Sequence, residues 1–265
     1  MIKKYLKIYQ RAIKNSLMTF LVHRFNLAMS GIANIIWTVA QLIALRYLFL
    51  KIPAIQGWEF GDLVLLLSFG QTYFYLSWIF YDINLQQLPI KIIRGDLDKM
   101  LLKPANVKFL ASFEKIAIPQ ILVMISTVTP LFIYGLSLQT SLTLTDCFFA
   151  LIVLGLGIIN FYFISLGITA LAFFIGDVES IRFFVLHTPT NLNRVPLNIF
   201  PQLLQYALTF ILPIAFLAFY PTMVIKGRLS PFTLLSIELG LIYLSYLFSR
   251  WMWKIGLKNY TSASK

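Results

Sequence analysis

Cysteine, histidine and carboxylates are all scarce in this chain. Its 265 residues include one Cys, two His and ten Asp or Glu. The lone Cys147 excludes an internal disulfide. His23 and His187 have no Cys, Asp or Glu at ligand spacing, so no metal site is expected. There is no G-x-x-x-x-G-K-[ST] phosphate loop. Gly227 is followed at once by Arg228, with no second glycine and no Lys-Ser or Lys-Thr. Nucleotide binding and a cofactor of the chain's own are therefore not expected. The N-terminus is basic but lacks a small-residue cleavage site, so no cleavable signal peptide is expected. Asp96 and Asp98 form a close carboxylate pair. In a helix their two-residue spacing separates their faces, which argues against an acid–base enzyme.

Apolar surface is abundant instead. The chain is 59% hydrophobic and 12% charged, with a mean hydropathy of +0.80. A soluble domain carries about 25% charged residues. The composition therefore specifies an all-α integral membrane protein. A crossing helix needs ~20 apolar residues. Segments 25–50, 63–81, 116–136 and 148–175 qualify readily, and 231–253 qualifies despite Glu238. One more crossing is expected between Asp177 and Arg228, where two positions compete. Segment 199–225 is the more apolar, but Pro201, Pro213 and Pro221 divide it. Its halves suit a re-entrant hairpin. In that case 178–195 is the span, and its Glu179, Arg182, His187, Asn191 and Asn193 must face other helices or a cavity; the residues alone leave both positions open.

Charge sets the expected orientation. Residues 1–24 carry six Lys or Arg and no acid, residues 82–115 carry six, and the end after Leu247 carries four. The positive-inside rule places both termini and the 89–109 segment in the cytoplasm, which requires an even number of spans, six. The net charge of +12 is explained by topology and anionic lipid rather than by nucleic acid. Trp58 at the outer edge and Trp251 and Trp253 at the inner edge fit aromatic belts. Within 1–24, apolar Ile2, Leu6, Tyr9, Ile13, Leu17 and Phe20 lie opposite Lys3, Lys7, Arg11 and Lys14. That pattern predicts a basic amphipathic helix in the interface, either a simple membrane anchor or an elbow that braces the first span.

The segment 89–109, PIKIIRGDLDKMLLKPANVKF, is a polar interruption between two spans. Gly95 permits a chain break, Asp96 is a good N-cap, and Pro104 disfavours helix at Lys103. A short helix over 97–102 is predicted, with Leu97, Met100 and Leu101 as an apolar face for a partner's groove. Inside the spans, Glu238, Gln71 and Asn160 are the pathway or intramembrane polar candidates. For Glu238 the alternative is an ion pair with Arg46, Arg194, Lys226 or Arg228 near the outer leaflet. Gly155, Gly157 and Gly167 permit close helix approach. The many aromatics with few charges suit an amphipathic or lipid-like cargo.

The stretch IKIIRGDLDKMLLKPAN resembles the cytoplasmic motif of the ABC-2 type permeases, membrane subunits of ATP-driven exporters. VPLNIFPQLLQYALTFILPIAFLAFYPTMVIKG, residues 195–227, resembles that family's segment before the last span. The resemblance covers nearly the whole chain and favours 178–195 as the fifth span. It implies an elbow over 1–24, one transmembrane domain over 25–265, a coupling helix, and a re-entrant hairpin over 199–225. It also implies an ATPase-coupling set of Arg94, Gly95, Asp96, Leu97, Asp98, Met100, Leu101, Leu102 and Pro104. ATP and Mg would sit on a separate ATPase subunit. A second permease subunit, alike or different, would complete a dimer in the inner (cytoplasmic) membrane. An ion-coupled secondary transporter is the alternative, but the chain shows no internal repeat.

Overall fold

The computed structural model describes residues 24–140, 142–187 and 191–260, together with Gln10, Ile13, Lys14, Ser16 and Met18. Most of the elbow expected over 1–24, and His23 with it, lies outside the described residues. Of the described part, Ile13 packs beside Ile116 and Val123, and the Ser16 hydroxyl accepts from Ile116 N at 3.4 Å.

Among the described residues the chain is helical without β-strands. The long helices are α1 (Arg24–Lys51), α2 (Phe60–Ile93), α5 (Ile118–Ser137), α6 (Leu144–Thr169) and α7 (Pro231–Asn259), with the short α3 (Asp96–Leu101) and α4 (Val107–Phe113) between α2 and α5. Five helices are long and apolar enough to cross a membrane: 28–51, 60–93, 118–137, 144–175 and 231–259. They match the expected spans 25–50, 63–81, 116–136, 148–175 and 231–253.

Three starts have local causes. At α2, Glu59 and Asp62 cap each other reciprocally. At α6, the Thr143 side chain accepts from Asp146 N at 3.1 Å. At α7, Pro231 occupies the first turn, where its missing N–H costs nothing. Helix α2 does not stop near Tyr81. It passes through a π-helical turn at Trp78–Asp82 and continues over Pro89 to Ile93. The first five residues of the polar interruption thus complete this helix.

Between Gly176 and Ser230 the helical pieces are short: Glu179–Arg182, a π turn Phe183–His187, Asn191–Arg194, Leu197–Ile199, Gln202–Tyr206 with a π turn Ala207–Ile211, Ile214–Leu217 and Phe219–Ile225. The chain breaks at Leu212–Pro213, where no proline N–H is available to continue a helix. Residues 214–217 beyond the break are buried in the main core with Phe69, Phe161 and Trp58. Two of the three glycines on α6 mark close approach. A Cβ at Gly157 would lie 2.9 Å from Phe216 O, and one at Gly167 would lie 2.4 Å from the Phe248 ring, whereas Gly155 faces open space.

The tryptophans correct the belt expectation. Trp251 is exposed, but Trp58 and Trp253 are buried. Lys226 lies over the Trp58 ring at 5.0 Å, and Lys108 over the Trp253 ring at 5.9 Å. Chain folded over both rings removes them from the surface.

Candidate functional site

The predicted chain break is at Gly95, whose φ of 75° is the left-handed conformation glycine adopts without cost. Arg94 closes α2 and is exposed. Gly95, rather than Asp96, is the cap residue of α3, and Asp96 is the first helical residue. Its carboxylate still favours that end, where the first N–H groups of the helix point. Lys99 donates to Asp96 at 2.7 Å and holds that carboxyl below the usual carboxylate range. Helix α3 ends at Leu101, and non-helical chain continues through Pro104 to Asn106, whose side chain caps α4 by accepting from Lys108 N.

The apolar face of α3 is not the one expected. Leu97 and Met100 point inward and are 0% and 3% exposed. They join a cluster with Leu85, Leu88 and Ile92 of α2, Leu110 of α4, Phe173, and Met252 and Trp253 of α7. That face of α3 is thus satisfied within the chain. Leu101 and Leu102 are left outward, 43% and 85% exposed. The Asp98 side faces Tyr260, just past α7, where burial and then the Asp98 carboxylate raise the phenol's pKa.

Two polar clamps hold this end together. The Asn84 side chain donates to Lys115 O at 2.8 Å and accepts from Lys115 N at 2.9 Å. Glu114 pairs with Lys91 at 2.5 Å and with Lys103 at 3.6 Å. Burial pushes the Glu114 carboxyl up, but the two lysines outweigh it and the net shift is downward.

A cleft runs from this end along α2. Near Pro89 a cavity of about 630 Å³ is lined by Gln86, Ile90, Asp177, Glu179, Arg182 and Phe184, among others. Further along α2 a cavity of about 400 Å³ is lined by α1 (Asn34, Trp37, Gln41), α2 (Gln71, Tyr73, Trp78) and the 183–194 segment (Asn191, Asn193, Arg194). Gln86, Phe183 and His187 line both. At their junction Arg182 Nη2 donates to Asp82 Oδ1 at 2.8 Å. Gln86 Nε2 donates to Asp82 Oδ2 at 3.3 Å, and His187 Nε2 lies 3.8 Å from the same oxygen. The polar residues of 178–195 thus do face helices and a cavity. Among the described residues, no group of His, Cys, Asp and Glu could hold a metal ion.

The model of a family described as ABC-2 family transporter protein matches residues 35–264. The chain belongs to that family. Neither a curated protein nor a solved structure matches it. In this ABC-2 transporter protein, the three intramembrane polar candidates are separate. Gln71 lines the 400 Å³ cavity. Asn160, on α6, accepts from the Ser245 hydroxyl of α7 at 2.6 Å. Glu238, on α7, is fully buried, and neither carboxyl oxygen has a partner among the described residues. The ion pair considered for it does not form. Lys226 pairs with Asp62, Arg228 donates to Gly57 O, and Arg46 sits over the Phe60 ring. The Asp82–Arg182 pair was not anticipated. Its members are 100 positions apart, and the only signal for it was an acid in one polar segment and a base in another.

Proposed function

We propose that this ABC-2 transporter protein is the permease subunit of an ATP-driven exporter. In this reading ATP and Mg are bound by a separate ATPase subunit, and two permeases form the path. The chain crosses the inner membrane six times with both termini in the cytoplasm, as its basic segments favour. Segment 178–195 contributes the fifth crossing, and 199–225 forms a re-entrant hairpin. The break at Leu212–Pro213 supports the hairpin, as does the Thr209–Tyr220 hydroxyl contact of 3.2 Å between its arms.

One observation carries the reading. Helix α3 is mounted on the bundle through Leu97 and Met100, presents Leu101 and Leu102 outward, and comes directly after α2 across Gly95. Helix α2 in turn lines the two cavities from Leu67 to Ile90. Force applied to the exposed leucines by ATPase closure would travel through α2 and α7 to the cleft, giving alternating access. The aromatic wall of the cleft (Trp37, Tyr73, Phe74 and Trp78) suits an amphipathic cargo.

The test is the Leu101→Asp, Leu102→Asp double variant, co-purified with its ATPase and reconstituted in vesicles. The expected result is an inserted, folded permease whose transport falls more than about tenfold, a coupling loss of over ~1.4 kcal/mol. Wild-type transport by this variant would remove α3 from the mechanism.

A further inference from the structure

We propose that the 400 Å³ cavity between α1, α2 and the 183–194 segment binds a hydroxyl-rich, sugar-like headgroup. The inference deepens the exporter reading by naming a cargo class, and it rests on that reading for the word cargo. The cavity's volume falls within the roughly 300–1,000 Å³ of small-molecule sites. Its polar wall is made chiefly of amides, including Asn34, Gln41, Gln71 and Asn193. An amide offers a donor and an acceptor side by side, which matches a hydroxyl, itself both donor and acceptor.

Two of these amide groups are unsatisfied. Gln71 Oε1 and Asn193 Nδ2 are buried with no hydrogen-bond partner among the described residues. The other end of Gln71 reaches only long contacts, 3.4 Å to Gln41 and 3.5 Å to Thr38. Asn193 packs against Gly70, the residue before Gln71. The acceptor and the donor left without a partner among the described residues thus belong to two residues that line one cavity. Buried amide groups of this kind require a partner. Trp37 and Trp78 add flat apolar faces on which the C–H face of a sugar ring can rest. No carboxylate lines the cavity.

The experiment uses the full chain in phosphatidylcholine discs, titrated with three probes while tryptophan emission is followed against empty discs. The probes are dodecyl maltoside, maltose, and a dodecyl polyoxyethylene ether with the same tail and few hydroxyls. The expected result is a saturable response to dodecyl maltoside, weakened at least about tenfold in Gln71→Leu or Asn193→Leu. A matching response to maltose identifies the free sugar as the source, and its absence identifies the sugar lipid. Trp37→Leu changes a side chain that is 58% exposed, so it tests the same site without disturbing the core. An equal response to the ether, or retention of full affinity in all three variants, overturns the proposal and leaves the cavity to water or lipid tails. Binding is read without ATP, so loss of coupling in the Leu101 and Leu102 variant would not affect it.

Discussion

Arg182 and Asp82 join two π-helical turns. Asp82 ends the turn Trp78–Asp82 in α2, and Arg182 immediately precedes the turn Phe183–His187. A π turn adds a residue to the helical ladder and rotates the helix beyond it. Here both irregular turns sit where the two cavities meet. The pair is buried, with side-chain exposures of 3% and 10%.

Removing one member of such a pair strands the other. Asp82→Ala is expected to destabilise the folded protein by about 3–5 kcal/mol, and Asp82→Ala with Arg182→Met to recover much of that loss. Thermal unfolding of the purified single and double variants measures it. Purely additive losses would mean that the two residues are not energetically linked.

The two faces of α3 predict opposite effects of the same substitution. Leu97→Asp buries an unpartnered carboxylate and is expected to cost more than about 3 kcal/mol or to abolish folding. Leu101→Asp lies on the exposed side and should change stability by less than about 0.5 kcal/mol. Yield and melting temperature in detergent separate the two.

Gly157 and Gly155 form a matched pair on α6. Gly157→Ala forces a methyl group onto the Phe216 carbonyl, a backbone atom that cannot swing away. A loss of about 1–3 kcal/mol is expected. Gly155→Ala meets nothing within 4 Å and should be neutral or slightly stabilising, since alanine is the better helix former. Similar melting temperatures for the two would contradict this packing.

The Glu114 clamp sets a pH dependence. Its folded pKa is depressed by Lys91 and Lys103 against an opposing burial effect. The stabilisation is therefore fully present above the usual glutamate pKa and is lost as pH falls through the depressed folded value. Glu114→Gln should remove that acid-side component and leave stability near neutral pH lower. Unfolding curves collected across the acidic range test the sign.

Glu238 has no partner to lose among the described residues. Glu238→Gln keeps the shape and removes the ionisable group, so stability is expected to hold or rise. Reduced transport at unchanged stability would assign the carboxyl to the pathway. Unchanged export across several substrates would leave it without a transport role.

Local features of the chain were legible before folding. Hydropathy located five long helices, Gly95 and Pro104 marked the ends of α3, and Pro213 marked a break. Each is a property of a short window, because helix formation, chain reversal and membrane partition are sums over neighbouring residues. The extension of α2 beyond Tyr81 was missed because the apolar run ends there and 89–109 was read as a polar interruption. The helix continues there because its inner face, Leu85, Leu88 and Ile92, is buried against other elements.

By itself the sequence determined that this is a membrane protein of a transporter family with a short helix beside the second span. Tertiary structure alone decided that Leu97 and Met100 are mountings while Leu101 and Leu102 stand free. It likewise decided that Trp58 is covered, that Glu238 has no partner among the described residues, and that Asp82 meets Arg182. The physical reason is range: periodicity defines the faces of a helix, but contacts from residues far away in the chain choose which face is covered and which charge finds a partner.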